Sequence, residues 1–454
     1  MMFVSINPAT GETIARYAAH DGAGIEKRLE DSWRAWLDWR QTGIEDRTDF
    51  LERLAALLDD RAERYGAIIS REMGKPLREA VAEVQKCATT ARHYAAQGPG
   101  YLAANSVGTE ARRTEVAFEP LGPVLAVMPW NFPFWQVIRF FVPAALAGNV
   151  ALLKHAENVQ GCAQAVEEVV AEAAGRPNLL YNLAVHRDAV AGLIADARVR
   201  AVTLTGSVRA GRSVAAAAGA AGKKAVLELG GSDPFIVLAD ADLDRAVSVA
   251  LTSRFANAGQ SCISAKRFIV ASAIADRFVD AFADGARALR LGDPLDPKTT
   301  MGPMAREDLR DGFAAQVRGA IAAGARAVVG GRPVEGPGFF FEPTVLVDVD
   351  PHSAAGQEEM FGPAAAVFTF DTVDEAVTLA NGTAFGLGAA LWTGDAEGAG
   401  AIANRIEAGA VFVNDLVRSD PRVPFGGIKD SGYGRELGEL GIREFTNAKL
   451  KWIA

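Results

Sequence analysis

The sequence has few cysteines, and their arrangement builds neither a disulfide scaffold nor a metal site. Only three occur among 454 residues, Cys87, Cys162 and Cys262, and no two have CxxC spacing. An odd set of scattered cysteines excludes a disulfide-rich secreted scaffold and does not suggest zinc. The five histidines show no ligand or triad spacing. We therefore expect no metal, and a reducing cytoplasm fits the free thiols.

The chain also has no excess of positive charge. Lys and Arg number 47 against 56 Asp and Glu, a formal net charge of −9. This balance argues against nucleic acid or an anionic membrane as a partner, because phosphates favour clustered basic side chains. The N-terminus lacks the basic start and apolar run of a signal peptide. A small-molecule substrate remains open.

One long uncharged stretch, residues 121–138, approaches the minimum length of a membrane span. It is interrupted or closely followed by Pro123, Pro129, Pro133 and Pro143. Proline breaks helices and is tolerated at the ends of strands and in loops, so we expect no helix to run through this region.

The rest of the chain alternates between two kinds of pattern. Residues 24–97 have helical periodicity, and from Val124 onward short apolar runs such as VLAVMP and AVTLTG alternate with helix-like stretches. A second such series, from RFIVAS to AVFVND, follows. Alternating strands and helices predict parallel sheets, and this length predicts two or three domains, so we expect two α/β lobes. RRTEVAFEP predicts a strand that pairs outside its own lobe.

Cys262 lies in a polar loop, FANAGQSCISAKRF, with few bulky apolar neighbours. Most lone cysteines are small buried hydrophobic residues, and Cys87 and Cys162, in helical patterns, have that interpretation. A glycine-containing loop instead lets a substrate approach the sulfur, and nearby backbone N–H groups favour a thiolate. Cys262 is the candidate nucleophile.

Two further residues fit the chemistry that a thiolate requires. Attack on a carbonyl carbon creates an oxyanion, and Asn131, in the stiff loop PWNFP, is a candidate donor to it. A purely local turn is the alternative. Glu228 ends an apolar strand before Gly230 and Gly231, where burial would raise its pKa and suit it to general-base work. A structural ion pair is its alternative.

The candidate cofactor segment is AVTLTGSVRAGRSV, a strand followed by Gly206 and Gly211 and then a helix. Free N–H groups at that helix start could meet a pyrophosphate, although the spacing is not GxGxxG and an ordinary strand-turn-helix connection is the alternative. Lys154 and Glu157 follow another apolar strand, where they could hold ribose hydroxyls, or form a solvated strand end.

Taken together, PWNFP, TGSVRAG, LELGGSDPFIV, GQSC, EEMFGP and PFGGIKDSGYGRE resemble, in order, the motif series of the NAD(P)-dependent aldehyde dehydrogenase family. The resemblance implies that Cys262 is the nucleophile, that Asn131 and the Cys262 backbone N–H form the oxyanion hole, and that Glu228 activates the deacylating water. It also implies that Lys154 and Glu157 hold the adenine ribose. The full set that it implies around the coenzyme is Trp130, Lys154, Glu157, Gly206, Ser207, Gly211, Leu229, Gly230, Glu359 and Phe361.

Within that family, MPWNFPFWQVIR, LLKHAENVQGCAQ and GGSDPFIVL resemble the short bacterial succinate semialdehyde dehydrogenases. This likeness implies that Arg139 binds the distal carboxylate of the substrate and that Ser419 is a second contact. The substrate residues that it implies are Arg139, Trp135, Ser261, Ser419, Arg422 and Phe425.

Two positions depart from the pattern. Long-type relatives carry another arginine six residues before the nucleophile, where this chain has Ala256. Arg422 or Arg418 could replace that anchor, or the substrate range could be broader. His155 stands where proline is usual, which leaves the choice between NAD and NADP open. Glu157 would repel a 2′-phosphate, so we favour NAD.

The resemblance implies an aldehyde dehydrogenase-like fold with two Rossmann-like lobes and a β bridge used in oligomerisation. Residues 1–102 and 122–229 would form the coenzyme lobe, residues 230–435 the catalytic lobe, and residues 103–121 and 436–454 the bridge. A homodimer or homotetramer follows by analogy. The alternatives are a CoA-acylating aldehyde dehydrogenase, against which Glu228 argues, and a catalytically silent homologue.

Overall fold

The computed structural model describes residues 2–176 and 179–454, in which α-helices and β-strands are joined by loops. The helices are α1 (Gly22–Trp39), α2 (Ile44–Asp60), α3 (Ala62–Met73), α4 (Leu77–Tyr101), α5 (Trp135–Leu146), α6 (Gln160–Ala174), α7 (Val190–Ala195), α8 (Val208–Ala220), α9 (Leu243–Phe255), α10 (Ala275–Arg287), α11 (Glu307–Ala322), α12 (Ala354–Gln357), α13 (Val373–Asn381), α14 (Ala399–Ala403) and α15 (Gly438–Arg443).

The strands are β1 (Met2–Ile6), β2 (Thr13–Ala18), β3 (Asn105–Ser106), β4 (Arg113–Pro120), β5 (Pro123–Val127), β6 (Val150–Lys154), β7 (Leu180–Asn182), β8 (Ala201–Thr205), β9 (Lys224–Glu228), β10 (Pro234–Val237), β11 (Arg267–Ala271), β12 (Arg326–Val329), β13 (Thr344–Val347), β14 (Ala364–Phe370), β15 (Phe385–Gly386), β16 (Gly388–Trp392), β17 (Ala410–Val413), β18 (Ile428–Lys429), β19 (Gly432–Tyr433) and β20 (Thr446–Ile453).

Two largely parallel sheets confirm the prediction of two α/β lobes. The first has the order β19-β9-β8-β5-β6-β7, and the second has the order β12-β13-β14-β11-β10-β16-β17. Only an edge strand of each, β19 and β12, runs antiparallel to its neighbour. The central strands are apolar runs because helices cover both faces of such sheets. Strand β16 in the second sheet is an element that the sequence patterns missed.

The predicted strand at RRTEVAFEP is β4, and it belongs to neither parallel sheet. It pairs along its whole length with β20 at the C-terminus and briefly with β3. The chain thus closes a separate three-stranded antiparallel sheet from two segments far apart in sequence.

As expected, no helix runs through residues 121–138, because β5 and the PWNFP loop occupy most of this stretch. The expected break at Pro143 is wrong. Helix α5 begins at Trp135, directly after the PWNFP loop, and contains Pro143 in its last turn. Every side chain of α5 is buried, and this burial offsets the one backbone hydrogen bond that Pro143 removes. Within the described ranges, no helix is both long and apolar enough to span a membrane.

Each lobe has its own apolar core. One cluster packs helices α2 to α6 against the first sheet, and a second surrounds β10, β11, β14 and β16. Cys87 and Cys162 are fully buried in the first cluster, as their helical patterns predicted. Cys262 lies only partly buried at its margin, beside the second lobe.

Candidate active site

The loop that carries Cys262 has an unusual backbone. Asn257, Ala258 and Gly259 have φ values of 54°, 51° and 69°, so three consecutive residues are left-handed. Such conformations are costly for residues with a Cβ atom and persist only where the surroundings enforce them. Here the Glu79 carboxylate accepts a 2.8 Å hydrogen bond from Asn257 N, and the buried Arg254 donates to Gly259 O at 2.7 Å. Cys262, the candidate nucleophile, therefore follows a rigid turn.

Protonation of Cys262 differs from the sequence-based expectation. Burial raises the pKa of the Cys262 thiol to about 11, although Lys266 and Arg139 oppose the shift. The expectation that nearby N–H groups would favour a resting thiolate is therefore wrong, because desolvation of the sulfur outweighs them. At neutral pH the resting protein holds a thiol, and it must lose a proton before it attacks.

Asn131 reaches the loop of the nucleophile. Its Nδ2 donates to Gln260 O at 3.0 Å, and Asn257 Nδ2 donates to Asn131 O at 2.9 Å. Both asparagines are buried. The purely local turn that we considered is not what holds Asn131, since these bonds join PWNFP to the segment before Cys262.

Glu228 lies in a buried cluster of charge. Glu228 at the end of β9 is 2% exposed, and neither of its carboxylate oxygens has a hydrogen-bond partner among the described residues. Burial and the neighbouring Glu436 raise the pKa of Glu228 well above its usual value, whereas Arg139 opposes the shift. Arg139 Nε in turn forms an ion pair with Glu436, and both side chains are buried. The ion pair that we weighed for Glu228 thus involves Glu436.

A cavity of about 360 Å³ opens in front of Cys262. The charged, hydroxyl and aromatic side chains around it include five of the six substrate residues implied by the sequence, and Lys86 and Ala256 join them at the same surface. The five are Arg139, Trp135, Ser261, Ser419 and Phe425. Arg139 lies over the Phe425 ring, 4.8 Å from its centroid.

Arg422, which the sequence placed among the substrate residues, lies outside the candidate substrate site. Its side chain is 73% exposed and donates to Asp420 through Nε at 2.8 Å and through a terminal nitrogen at 2.6 Å. Arg418 likewise pairs with Asp415 at 2.9 Å and is 53% exposed. Neither lines the cavity, because an acidic neighbour in the same loop holds each arginine at the surface. Neither arginine therefore replaces the one that long-type relatives carry at the position of Ala256.

The strand-turn-helix segment has the geometry that its sequence predicted. Strand β8 ends at Thr205, Gly206 N donates to Glu228 O at 3.0 Å, and Ser207 caps α8 by accepting from Ala210 N. A Cβ atom on Gly211 would lie 2.5 Å from a methyl group of Leu229. Gly211 therefore serves the close approach of α8 to the sheet, and the first-turn N–H groups remain for an anion.

Glu359 lies where both lobes meet. Its Oε1 accepts from Gly231 N at 3.0 Å and lies 3.6 Å from Lys266 Nζ. A Cβ atom on Gly230 would lie 2.4 Å from Glu359 Oε2, so a larger residue there would displace the Glu359 carboxylate. Nearby, Trp130 and Phe361 are in edge-to-face contact, with ring centroids 5.8 Å apart.

Lys154 and Glu157 border a cavity of about 920 Å³. Burial lowers the pKa of Lys154, and within the described chain no carboxylate lies within ion-pair distance of its ammonium. Glu157 is half-exposed, and its Oε1 lies 3.2 Å from His186 Nδ1. A buried cation with spare donors fits a polar ligand such as a ribose.

Lys266 is a residue of this site that sequence reasoning missed. It is 1% exposed, and its ammonium donates to Ser261 O at 2.8 Å and to Cys262 O at 2.5 Å while also facing Glu359. A lysine four positions after the nucleophile, at the start of an apolar strand, was the available signal. His186 and Glu436 were missed as well, because each acts through a partner distant in sequence.

Comparison with known proteins agrees with this geometry. The model of the aldehyde dehydrogenase family matches residues 1–451. A Synechocystis protein named probable succinate-semialdehyde dehydrogenase, NADP(+), is 47% identical over 454 residues, with 100% of both chains covered. The Escherichia coli succinate semialdehyde dehydrogenase Sad, named for NAD(P)+, is 47% identical, with 99% of this chain and 97% of that protein covered.

Among solved structures, succinic semialdehyde dehydrogenase from Streptococcus pyogenes, in complex with NADP+, superimposes with a TM-score of 0.97. It is 38% identical, and 99% of each chain is covered. The motif around Cys262, the two-lobe fold and these full-length matches lead to one conclusion. The chain belongs to the aldehyde dehydrogenase family.

Proposed function

We propose that this protein oxidises succinate semialdehyde to succinate with NAD(P)+ as the electron acceptor. The observation that carries the proposal is the cavity in front of Cys262, whose wall combines Arg139 and Ser419 with the aromatic rings of Trp135 and Phe425. Cationic and hydroxyl donors suit a carboxylate, and the rings suit a short carbon chain. The names of relatives at 47% identity support the same substrate.

The chemistry follows from the protonation states of the site. Cys262, once deprotonated, adds to the aldehyde carbon, and the Asn131 amide and the Cys262 N–H donate to the oxyanion. When bound, NAD(P)+ supplies a hydride acceptor. Glu228 in its deprotonated form then takes a proton from the water that hydrolyses the Cys262 thioester. Its raised pKa makes that carboxylate a stronger base, and its oxygens have no hydrogen-bond partner among the described residues.

The residues present fit a dinucleotide. The free N–H groups of the first turn of α8 suit the pyrophosphate, and Lys154 with Glu157 suits the adenine ribose. Glu359 suits the nicotinamide ribose, beside the wall formed by Trp130 and Phe361. Glu157 would place a negative charge near the 2′-phosphate of NADP, which favours NAD. The name of the Synechocystis relative, however, includes NADP(+), and that of the Escherichia coli relative includes NAD(P)+. Both coenzymes therefore belong in every assay.

The test is steady-state formation of reduced coenzyme from succinate semialdehyde and from neutral butyraldehyde, without CoA, with NAD and with NADP. Arg139→Leu should lower kcat/KM for the carboxylated aldehyde selectively, by about 1.5 to 3 kcal/mol for a lost charged hydrogen bond. Loss of Arg139 also leaves the buried Glu436 without its cation. Glu436→Gln, which removes the same ion pair but keeps Arg139, is therefore the matched variant. Equal kcat/KM for both aldehydes in the wild type would refute the substrate.

We further propose a homodimer or homotetramer that assembles through the sheet of β3, β4 and β20. The support is its partner-free apolar face, on which Leu450 is 60% and Trp452 48% exposed. We also propose that residues 1–102 and 122–229 form the coenzyme lobe, residues 230–435 the catalytic lobe, and residues 103–121 and 436–454 the bridge. A reducing cytoplasm suits a protein that depends on a free thiol.

A further inference from the structure

The geometry raises the question of which positive charge balances the distal carboxylate of the substrate. This question rests on the proposed function. Arg139 faces the cavity, but its ion pair with Glu436 already offsets its charge. Arg422 and Arg418 lie outside the cavity, and Ala256 has no charge to offer. An incoming carboxylate therefore needs another cation.

Lys86, on helix α4, is placed to supply that cation. It lines the cavity that contains Cys262, its Nζ donates to Ser419 Oγ at 2.8 Å, and its ammonium lies 4.2 Å from the centroid of the Trp135 ring. Ser419 and Trp135 are both candidate substrate contacts. The Lys86 ammonium, which has three N–H donors, thus contacts both the loop of Ser419 and the ring of Trp135.

The acids around Lys86 are engaged elsewhere. Glu83, one turn earlier on α4, pairs with Lys75 and accepts from Phe134 N and Trp135 N at 2.9 and 3.0 Å. Asp420 binds Arg422. Among the described residues no carboxylate lies within ion-pair distance of Lys86, so a cation that is costly to bury keeps uncompensated charge at the cavity wall.

We propose that Lys86, acting with Ser419, binds the distal carboxylate of the substrate and supplies the charge that Ala256 lacks. Arg139, whose charge is already paired with Glu436, then contributes hydrogen bonds to the same carboxylate. Arg78, the other cation at the cavity without an ion pair among the described residues, is exposed at the mouth and has no comparable contact with Ser419.

This role makes the substrate preference depend on pH. Burial and the nearby Arg139 lower the pKa of Lys86 to about 8, while Cys87, Asp420 and Glu83 oppose the shift. The lysine is therefore charged below about pH 8 and loses its charge as the pH rises through that value. A substrate carboxylate stays ionised throughout this range. Preference for the carboxylated aldehyde should be greatest below pH 8 and decline above it.

The experiment measures the ratio of kcat/KM for succinate semialdehyde to kcat/KM for butyraldehyde between pH 6.5 and 9.5. We expect Lys86→Met to lower the ratio at pH 7 on the order of tenfold or more, chiefly through KM. Lys86→Arg should retain the ratio and keep it constant above pH 8. Gln85→Met, at the exposed neighbouring position of α4, is the control for changes in the helix.

The outcomes separate this inference from the proposed function. A wild type with no preference for the carboxylated aldehyde overturns both. A wild-type preference that Lys86→Met leaves intact, or that Arg78→Met abolishes in its place, overturns the role of Lys86 alone. If Lys86→Met does not fold, the role of Lys86 is tested by measuring how strongly succinate inhibits butyraldehyde oxidation by the wild type at each pH. Inhibition that weakens above pH 8 supports the role, and inhibition independent of pH up to 9.5 overturns it.

Discussion

At the scale of single residues, the site depends on ionisable groups held away from water. Glu228, Glu436 and Arg139 form one buried cluster, in which the two carboxylates lie close together and Arg139 forms its ion pair with Glu436. Two like charges in low dielectric cannot both ionise at their ordinary pKa, so one carboxyl of the pair retains a proton at higher pH. The cluster thus makes the Glu228 carboxylate a stronger base, which suits its proposed role in the hydrolysis of a thioester.

Replacing Glu228 by Gln should separate the two halves of the reaction. Without the base, one hydride is transferred and the acyl group then stays on Cys262, so rapid mixing should show a burst near one equivalent of reduced coenzyme per site and then slow turnover. Because Gln keeps the volume and removes a buried charge, the fold should be retained. A variant with unchanged steady-state turnover and no burst would contradict the assignment.

The thiol of Cys262 gives a second prediction at this scale. Its pKa of about 11 means that the thiolate fraction, and hence the alkylation rate with iodoacetamide, should rise about tenfold per pH unit between pH 7 and 10 in the protein without coenzyme. Cys87 and Cys162 are fully buried, so Cys262→Ser should abolish the reaction. A rate that levels off near pH 8 would show that the resting site already holds a thiolate.

At the scale of elements, the left-handed turn before Cys262 is the most constrained connection in the site. A Cβ atom on Gly259 would lie 2.2 Å from an Arg254 nitrogen and 2.3 Å from Gly362 O. Gly175, which ends helix α6, has a similar φ of 66°, but apart from its chain neighbours no atom of residues 2–176 or 179–454 lies within 4 Å of its Cβ position. The two glycines therefore share backbone strain and differ in crowding.

We expect Gly175→Ala to lower the free energy of unfolding by about 1 kcal/mol through backbone strain alone. Gly259→Ala should cost at least about 3 kcal/mol and strongly reduce turnover, because the displaced turn moves Cys262. Urea unfolding followed by circular dichroism, with kcat measured beside it, checks both. Equal losses in the two variants would show that the contacts with Arg254 and Gly362 do not constrain the turn.

At the scale of the whole molecule, the three-stranded sheet presents two different faces. Leu450 pairs with Val116 and Trp452 with Thr114, so these side chains share one largely apolar face. Lys449 and Lys451, on the other face, form ion pairs with Glu119 and Glu115. Exposed apolar side chains on one face favour burial against another copy of the chain.

Leu450→Asp should therefore reduce the molar mass measured by light scattering to that of a smaller assembly or of the monomer. A buried unpaired carboxylate costs several kcal/mol in an interface. Lys449→Asp changes charge on the opposite face and is the matched control. An unchanged mass in Leu450→Asp, or an equal loss in both variants, would place the interface elsewhere.

The sequence alone predicted the features that depend on residues close together along the chain. Alternating strands and helices predicted the two lobes, helical periodicity predicted that Cys87 and Cys162 would be buried, and the loop motifs identified Cys262, Asn131 and Glu228 as candidate site residues. These features follow from patterns within a few residues, because secondary structure and turns are set by neighbours in sequence.

The tertiary structure decided the electrostatics of the site. It paired Arg139 with Glu436, turned Arg422 to the surface and joined Lys86 to Ser419, 333 residues away along the chain. It also protonated the thiol that sequence reasoning had expected as a thiolate. Charge, burial and pKa depend on groups that meet only after folding, and no local pattern contains that information.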